Sequence, residues 1–515
     1  MIYSFAVPFA FTVALLAMTA LPRLQVSPIV TWSFWGAAAA LLLWQVLLLF
    51  LRWPARNSGR EGGPFRIVKV PPRKQHWVQS FCHATVYAYW GWYWPPVYDF
   101  MPLLFGQLLF AYAFDILLAW SRKEDYQIGF GPFPIVFSTN LFLWFKDDWF
   151  YWQFALIALG FAGKAFVRWN RDGKRVHIFN PSAFTLAIFS VVLLATGNTN
   201  LTWGQEIAST LSLGPHIYKV LFVVGLVVMY FFAITTVTAA AAITLVGLSG
   251  LYLAITGVPY FVDSDIPSAV FLGLHLLVTD PSTSPRTPVG RLIFGVGYGL
   301  GVFGLYWLLS AMGMPTFYDK LLCVPLLNLS VRAIDRWVKA IGQSDLLHRL
   351  ALDGPLGRGN LAHMGVWAAF FVLMMNTGSA DGMHRGDALP FWVQACEENK
   401  PRACERLVRI EANYCGDNAG WACNELGRHH MEGRIVEKDE ERAIAYFSRA
   451  CEGRFQAGCV NLLDPSTIST ANPRPFDLRL LVREGGLNLL ETPEPELYQR
   501  ACRHGWSYAC ERGDN

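Results

Sequence analysis

Charged side chains are scarce in this sequence, and their scarcity argues against a soluble globular protein. They make up 16% of the 515 residues, whereas 53% of the residues are hydrophobic and the mean hydropathy is +0.31. A soluble domain carries about 25% charged residues. The formal net charge is only +4, and the basic residues cluster in short loops. That distribution is typical of membrane orientation signals and excludes a nucleic-acid-binding surface.

Several cofactor motifs are also missing. There is no CxxCH motif, which excludes c-type haem, and there is no cysteine cluster to hold an iron–sulfur centre. No HExxH motif or i,i+4 histidine pair predicts a metal site, and no P-loop predicts a nucleotide site. Haem held by two histidines from distant helices stays open. The glycine-rich stretch "GVGYGLGVFG" (295–304) lies in an apolar run, so we interpret it as close helix packing.

Long apolar runs predict an all-α, polytopic membrane protein. A helix needs about 20 mostly apolar residues to cross a bilayer, and hydropathy predicts about thirteen spans, some of them discontinuous. We place them near residues 2–21, 30–51, 77–96, 98–120, 129–145, 149–167, 180–197, 217–235, 236–257, 266–278, 289–312, 315–331 and 361–378. Because no Lys or Arg precedes the first run, we read it as a retained span, with a cleaved signal peptide as the alternative.

Loop charges predict the orientation of these spans. Residues 52–74 include seven Lys or Arg and one Glu, and residues 168–177 and 332–360 are also basic. By contrast, residues 198–216 and 257–268 contain no Lys or Arg. Because basic loops stay in the cytoplasm, we expect a bacterial inner-membrane protein with a cytoplasmic N-terminus and a periplasmic C-terminal domain.

A change of composition near residue 380 divides the chain. We predict two N-terminal spans with a basic loop (1–75) and a central membrane domain (76–331), followed by an amphipathic cytoplasmic segment with the last span (332–379). The remainder (380–515) is charged and free of long apolar runs, and it contains eight of the ten cysteines. It is predicted to be a separate soluble domain.

The cysteines of the C-terminal domain share one spacing. They form four pairs, each separated by eight residues: Cys396 and Cys404, Cys415 and Cys423, Cys451 and Cys459, and Cys502 and Cys510. On one straight helix, eight residues span about 12 Å, which is too far for a disulfide, but two helices joined by a turn bring such a pair together. We therefore predict four disulfides in an oxidising compartment. Zinc binding is the weaker alternative, because no CxxC occurs.

Residues 415–459 also show a helical repeat. Small and large apolar residues alternate at helical spacing, and the cysteine pairs recur after 36 residues, as in the stacked helical hairpins of an α-α solenoid. The stretch resembles the Sel-type relatives of tetratricopeptide repeats in their cysteine-rich secreted form, and residues 390–404 and 493–510 match more loosely. The resemblance implies a domain that binds partner proteins and has no catalytic role.

Two polar, proline-containing segments interrupt the central membrane domain. They are "HIFNPSAF" (177–184) and "LLVTDPSTSPRTPVGRL" (276–292). In each, a capping residue precedes a proline, Asn180 before Pro181 and Thr287 before Pro288, so each predicts a helix start. Helix starts carry free N–H groups that hold anions, and we expect the two segments to converge on one cavity. Ordinary loop ends, with arginines reaching the cytoplasm, are the alternative.

The Asn-Pro and Thr-Asp-Pro motifs of these segments resemble those of one membrane flavoprotein family. It includes the D subunit of the Rnf electron-transport complex, the B subunit of the sodium-pumping NADH:quinone reductase and UnbU-like proteins, and the resemblance covers about residues 75–330. It implies a ten-span body distantly related to urea transporters that carries flavin, FMN or riboflavin, and passes electrons. We assign cofactor binding to nine residues. The resemblance supplies Asn180, Pro181, Thr279, Asp280, Pro281, Gly290 and Arg291, and Ser182 and Thr283 are added from the same two segments.

One departure from that family concerns the attachment of flavin. Rnf and sodium-pump members bind FMN covalently to a threonine in a short motif ending in Ala-Thr. The two Ala-Thr pairs here, Ala84-Thr85 and Ala195-Thr196, lack that context, so we expect a non-covalent flavin.

Separately, Asp115 lies inside the apolar run "LLFAYAFDILLAW". A carboxylate within a membrane is costly, which makes Asp115 the one candidate for a proton or ion role.

These features predict an electron-transport subunit in contact with membrane lipid. It would pass electrons from a cytoplasmic donor to a membrane or periplasmic acceptor, a quinone or a redox protein, with the repeats docking a partner. Two alternatives stay open: a urea-transporter-like channel for a small solute without cofactor, and a membrane anchor for the repeat domain. The aromatic block 76–100 fits either an interfacial belt or a wall that stacks flavin or quinone.

Overall fold

The computed structural model describes residues 2–52, 65–341 and 358–463, apart from residues 172, 263, 381–383 and 417, and four single residues near the C-terminus at 496, 499, 502 and 510. Much of the predicted basic loop 52–74, of the amphipathic segment after residue 341 and of the terminal repeat 493–510 lies outside the described residues. The chain forms two compact units. One comprises Met1–Leu248 with Ile266–Asp381, and the other comprises Ser249–Asp265 with Gly382–Asn515.

Helices account for nearly all regular structure, so the all-α prediction is confirmed. The helices of the first unit are α1 Ile2–Ala17, α2 Pro22–Gln25, α3 Pro28–Arg52, α4 Lys74–Tyr93, α5 Pro96–Ser121, α6 Pro132–Asn140, α7 Tyr151–Phe166, α8 Pro181–Ala195, α9 Gly204–Thr210, α10 Ile217–Phe232, α11 Thr235–Thr256, α12 Ser268–Leu276, α13 Pro288–Ala311, α14 Asp319–Ile341 and α15 Arg358–Asn376. Helix α11 continues into the second unit.

Two small sheets accompany these helices. Strand β1 (Ile67–Lys69) pairs in parallel with β2 (Tyr126–Ile128). Strands β3 (Arg168–Arg171) and β4 (Lys174–His177) form an antiparallel hairpin just before α8. The Arg171 side chain anchors this hairpin, because it bonds to Asp335 of α14 (2.7 Å) and to the carbonyl of Ser284 (3.1 Å).

Four helices in the described part of the chain are long and apolar enough to cross a membrane. They are Pro28–Leu51, Pro96–Ser121, Thr235–Thr256 and Pro288–Ala311. The pair Gly204–Leu213 and Ile217–Phe232, bent by 99°, would add a fifth if it is one span. Membrane association therefore fits the structure, whereas the thirteen spans predicted from hydropathy stay a prediction.

One order of helix lengths occurs twice in the first unit. In α4–α8 and again in α10–α14, two long helices precede a nine-residue helix, which is followed by two more long helices. The nine-residue helices are α6 and α12, each about 14 Å long at 1.5 Å per residue, which is too short to cross a bilayer. The regions predicted as spans at 129–145 and 266–278 therefore each contain a helix that is too short to cross a bilayer by itself.

A cluster of buried amides explains why α6 ends early. Asn140, its last residue, donates through Nδ2 to Oε1 of Gln107 on α5 (2.8 Å). Gln153 on α7 donates to Oδ1 of Asn140 (3.0 Å) and accepts from the backbone N–H of Phe145 (3.0 Å). The three amides are fully buried. They supply partners for the polar groups at this helix end, which would otherwise be left unpaired.

The second unit is a series of helices, each packed on the next along the chain. They are α16 Leu389–Glu397, α17 Ala403–Gly416, α18 Gly420–Glu432, α19 Glu440–Glu452 and α20 Gln456–Leu463. Small residues such as Ala422, Ala450 and Ala457 are buried between them, which allows close packing of neighbouring helices. The assignment of the unit to a solenoid stays a prediction.

The four predicted cysteine pairs are disulfides in the structure. Their Cα–Cα distances are 4.5 Å for 396–404 and 451–459, and 4.7 Å for 415–423 and 502–510. The first three each join two consecutive helices across the turn between them, as the eight-residue spacing predicted. Cys82 and Cys323 are free and buried. Four disulfides fit an oxidising compartment.

The second unit also includes a segment that the sequence did not assign to it, Ser249–Asp265. Arg406 of α17 donates hydrogen bonds to the backbone carbonyls of Pro259 and Tyr260. Its guanidinium also lies over the ring of Trp392, 5.3 Å from the ring centre. The C-terminal helices therefore fold around the loop between α11 and α12.

Candidate functional site

A cavity of about 290 Å³ lies where α6, α8 and α12 meet. Ser138 of α6, Asn180 and Ser182 at the start of α8, and His275 near the end of α12 line it. The loop after α12 completes the wall with residues 279–282. The Asn-Pro and Thr-Asp-Pro segments, far apart in the sequence, thus lie on one cavity.

Asn180 joins the start of α8 to the end of α12. Its Oδ1 accepts hydrogen bonds from the backbone N–H groups of Ser182 (3.0 Å) and Ala183 (3.2 Å), as a helix cap does. Its Nδ2 donates to the carbonyl of Leu277 at 3.1 Å. One side chain therefore starts a helix and ties the two polar segments together.

Asn328 on α14 links the same two segments. Its Oδ1 accepts from the backbone N–H of Asn180 (3.1 Å), and its Nδ2 donates to the carbonyl of Thr283 (3.1 Å). Sequence reasoning missed Asn328. The available signal was an asparagine inside the apolar run "CVPLLNLSV", because a polar side chain in a membrane helix generally has a partner there.

The start of α8 does not offer free N–H groups. Ser182 and Ala183 donate to the Asn180 side chain, Phe184 donates to the Asn180 carbonyl, and Pro181 has no N–H. The prediction that this helix start holds an anion is therefore wrong, because the cap has already used the donors of the first turn.

Two predicted cofactor residues, Gly290 and Arg291, do not line the cavity. The N–H of Gly290 donates to Oγ1 of Thr287 (3.0 Å), and a methyl group at residue 290 would lie 2.8 Å from Cβ of Pro285. Arg291 donates to the carbonyls of Pro285 (3.2 Å) and Ala233 (2.6 Å). These two residues hold the backbone around the start of α13, which corrects their predicted place in a pocket.

The Thr-Asp-Pro loop turns around Asp280. Its Oδ1 accepts from the backbone N–H (2.9 Å) and the hydroxyl (2.6 Å) of Ser282, a local bond that favours a turn. Thr279, Asp280, Pro281 and Ser282 line the cavity. Thr283 differs from its prediction, because it is buried and outside the lining.

Two basic side chains that sequence reasoning did not select also line the cavity: Lys164 of α7 and His177 of β4. Within the described residues, Lys164 makes no ion pair with a carboxylate. Burial lowers the pKa of His177 below its ordinary 6.5, although the nearby Asp280 carboxylate acts in the opposite direction. The one carboxylate of this lining is that of Asp280.

His275, a lining residue of the cavity, has an unpaired ring nitrogen. Its Nδ1 donates to the carbonyl of Phe271 (2.7 Å), so Nε2 is an acceptor. This Nε2 is buried and has no hydrogen-bond partner in the described part of the chain. The buried His83 has the same arrangement, but its Nε2 meets the hydroxyl of Ser138 (3.0 Å). Buried polar atoms are rarely unpaired, so His275 Nε2 marks a place for a ligand's donor group.

A second cavity of about 300 Å³ adjoins the first. Four residues line both cavities: Gln79, Gly131, Pro134 and Phe232. Its own wall adds Arg73 and an aromatic pair, His76 and Phe130, whose ring centres are 5.2 Å apart with planes inclined by 11°. The wall of the adjoining space therefore contains a stacked pair of aromatic rings and a further basic side chain, Arg73.

Comparison of the chain with protein-family models, with curated proteins and with solved structures finds no match. The residues of the two cavities are therefore the only basis for inferring a ligand.

These residues fit a flavin. A flavin is a flat three-ring system with a hydrogen-bonding edge and a polar chain, which ends in a phosphate in FMN. His76 and Phe130 supply a flat apolar surface, His275 Nε2 and the Ser138 hydroxyl supply partners for a polar edge, and Lys164 supplies a charge for a phosphate. Mostly apolar walls with a few placed polar groups are typical of cofactor sites.

Asp115, the predicted proton or ion residue, lies outside both cavities. It is half-buried on α5, near Tyr126, Lys164 and Arg122. Of these, Lys164 also lines the first cavity. A role for Asp115 in ion or proton movement stays a prediction.

The aromatic block 76–100 has two kinds of surroundings. Trp77 and Trp92 are 65% and 77% exposed, as expected of residues at a lipid surface. Trp90 is buried, with its ring 5.3 Å from that of Trp144. Of the aromatic rings in the block, only His76 lines a cavity near the polar motifs.

In the part of the chain that the structure describes, no group of three or more potential metal ligands occurs.

Proposed function

We propose that this protein is a membrane electron-transfer subunit that holds a flavin without a covalent bond in the two adjoining cavities. One observation carries the proposal: two polar motifs, at Asn180 and at Thr279 and Asp280, meet on a cavity where His275 has a buried, unpaired nitrogen. When bound, a flavin supplies one- and two-electron transfer coupled to proton uptake.

The side chains of the protein bind and orient such a group. Nε2 of His275 accepts a hydrogen bond from a ligand N–H group, which orients the polar edge. Lys164 attracts a negatively charged tail. The surrounding apolar residues exclude water, which strengthens both interactions.

The two Ala-Thr pairs support non-covalent binding. The Thr85 hydroxyl donates to the carbonyl of Phe81 (2.9 Å), and the Thr196 hydroxyl donates to that of Val192 (2.8 Å). Neither threonine lines the two cavities. Each is used within its own helix, so neither is placed to attach a flavin.

The same proposal includes the predicted orientation in a bacterial inner membrane. Residues 257–268 contain no Lys or Arg, as expected of an extracytoplasmic loop. Most of this loop belongs to the same compact unit as the C-terminal helices and their disulfides. A single unit lies on one side of the membrane, which supports a periplasmic C-terminal domain and a cytoplasmic N-terminus.

The C-terminal helices are the proposed docking site for a partner protein, either the electron acceptor or another subunit. Helical repeats present extended surfaces that suit protein binding. A quinone in the membrane is the other acceptor class. The donor would be a cytoplasmic protein.

A channel for a small neutral solute is the second candidate. The observation that favours it is the pair of nine-residue helices, α6 and α12, which both line the first cavity. Broken helices at a central site also occur in transporters. In that case the cavity holds solute and needs no cofactor. A protein that only anchors the repeats in the membrane would need neither a solute nor a cofactor in the cavity.

Absorbance of the purified protein tests the leading proposal. Gentle detergent extraction should give a preparation with the visible absorbance of flavin, and denaturation should release the flavin into the supernatant. A denaturing gel should show no flavin fluorescence on the protein band. A colourless protein that releases no flavin contradicts the proposal, and solute flux in liposomes would then favour the channel.

A variant of Lys164 makes the test specific to the cavity. Lys164→Gln should weaken retention of FMN about 10–100-fold, since a hydrogen bond to a charged group contributes about 1.5–3 kcal/mol. The matched control is Lys219→Gln, because Lys219 is exposed and lines neither cavity. Equal loss of FMN in both variants would show that Lys164 has no specific role.

A further inference from the structure

Three side chains form a hydrogen-bonded chain at the first cavity. The hydroxyl oxygen of Ser282 lies 2.6 Å from Oδ1 of Asp280 and 3.0 Å from Nε2 of His177. All three residues line the cavity. Ser282 is exposed, whereas His177 and Asp280 are half-buried. The chain therefore extends from the surrounding water to the cavity wall.

The geometry sets the direction of these hydrogen bonds. The serine hydroxyl has one hydrogen, and the short contact to Asp280 indicates that it donates to the carboxylate. The serine oxygen then accepts from the N–H at Nε2 of His177. This assignment leaves Nδ1 of His177 as the nitrogen that takes up a proton.

The charges around His177 favour a transient proton there. The charged groups that face it are Asp280 in the Thr-Asp-Pro loop, Lys164 on α7 and Arg168 on β3. The two cations and burial keep the imidazole neutral at pH 7, so it is ready to accept a proton. Asp280, acting through Ser282, stabilises the imidazolium once it forms, as a buried carboxylate does for a catalytic histidine.

We propose that His177 exchanges protons between the outside water and the ligand in the cavity, with Ser282 and Asp280 as positioning residues. This inference rests on the proposed function, because flavin reduction takes up protons. In one transfer, a buffer acid outside gives a proton to the neutral imidazole, and the imidazolium then gives a proton to a ring nitrogen of the ligand and becomes neutral again. The accompanying electrons come from a separate reductant, which the test below supplies.

Proton uptake during reduction tests this role apart from any turnover. The full-length, flavin-loaded protein is mixed with a reduced viologen, a one-electron reductant that carries no proton, in weakly buffered solution with a pH indicator. In the wild type, proton uptake should keep pace with bleaching of the flavin. In His177→Gln, uptake should lag by about tenfold or more, because a positioned acid or base typically contributes 10²–10⁴-fold. His216→Gln is the matched control, since His216 is exposed and lines neither cavity.

Ser282→Ala separates positioning from folding. It leaves His177 in place but breaks the link to Asp280, so the midpoint of uptake rate against pH should move to lower pH, whereas a purely structural role would leave it unchanged. The flavin content of each variant is measured first and shows whether the cavity is intact. A wild type without flavin overturns the proposed function and the relay with it. A flavin-loaded His177→Gln that takes up protons at the wild-type rate overturns the relay alone.

Discussion

The backbone of Gly225 on α10 lies directly against the imidazole of His275 on α12. A methyl group at residue 225 would lie 1.8 Å from Cδ2 and 2.6 Å from Nε2 of that ring. Only glycine leaves room for the ring at this crossing. The position of the unpaired nitrogen of His275 therefore depends on Gly225 as well.

Gly225→Ala should displace His275 and weaken retention of the proposed flavin. The clash should lower the free energy of unfolding by about 1–3 kcal/mol, as overpacking does, and flavin retention should fall at least about tenfold. Flavin per protein after gel filtration and thermal unfolding in detergent measure the two effects. Gly247→Ala is the control, because nothing lies within 4 Å of a methyl group there. Equal flavin in the two variants would contradict a role for the His275 position.

Asn328→Leu should loosen the connection between the Asn-Pro and Thr-Asp-Pro segments. It removes two buried hydrogen bonds and leaves the N–H of Asn180 and the carbonyl of Thr283 unpaired, at about 1–3 kcal/mol each. Faster hydrogen exchange of the backbone N–H of Asn180 and lower thermal stability are the expected results. Ser330→Ala should change neither, because the Ser330 hydroxyl bonds only within its own helix turn.

Arg406→Ala should release the loop 257–265 from the C-terminal helices. The substitution removes the donors to Pro259 and Tyr260 and leaves their carbonyls without these partners. Limited proteolysis of the full-length protein should then cut within this loop at least about tenfold faster. Arg409→Ala is the control, since Arg409 is half-exposed and pairs only with Glu405. An unchanged cleavage rate in Arg406→Ala would show that Arg406 does not hold this loop.

The buried pair of His429 and Glu411 should make the second unit less stable as pH rises. Burial acts to lower the pKa of His429, but the Glu411 carboxylate 2.9 Å away more than compensates, and the net pKa is raised above 6.5. A raised folded pKa stabilises the unit below pH about 6.5, and that stabilisation is lost as pH rises through the folded value. Hydrogen exchange in α18, corrected for its intrinsic pH dependence, should therefore be faster at pH 8.5 than at pH 6.

Substitutions near this pair test the cause of the pH dependence. Glu411→Gln should flatten it, because a neutral amide no longer favours the imidazolium. Glu405→Gln should leave it intact, since Glu405 is half-exposed and pairs with Arg402 and Arg409 instead. A pH dependence that survives Glu411→Gln would assign it to another group.

Thiol labelling should find two free cysteines per chain. Under denaturing conditions without reductant, maleimide should modify only Cys82 and Cys323, and after reduction it should modify all ten cysteines. Replacing Cys415 and Cys423 together by serine should lower the stability of the second unit by about 2–3 kcal/mol, as expected for a small disulfide loop. Four or more labels before reduction would contradict the four disulfides.

The outlines of the helices were predictable because they depend on local patterns. The caps at Asn180 and Thr287 start α8 and α13 as predicted, since a cap acts on its own first turn. The eight-residue cysteine spacing predicted the disulfides, because only a helical turn brings such a pair together. The length of α6 was not predictable from hydropathy. It depends on Gln107 and Gln153, which come from other helices.

The residues of the site, like the helices, were only partly predictable from the sequence. The motifs identified residues 180–182 and 279–281, which line the cavity, but they also selected Thr283, Gly290 and Arg291, which do not. Lys164 and His275 belong to no motif and reach the cavity through packing alone, and His177, the first residue of the segment 177–184, was not selected as a site residue. A motif records which residues lie near each other in the chain, whereas a cavity collects side chains from several helices.

By itself, the sequence determined an all-helical chain with apolar helices, the helix starts at the two polar segments, and four cysteine pairs in a separate C-terminal region. These features follow from hydropathy, capping and spacing, which act over a few residues. Only the tertiary structure decided that the first turn of α8 has no free donor and that Gly225 places His275. It also decided that Asp280, Ser282 and His177 form one chain and that the loop 257–265 folds with the C-terminal helices. Each of these depends on contacts between residues distant in sequence, which form only when the helices pack.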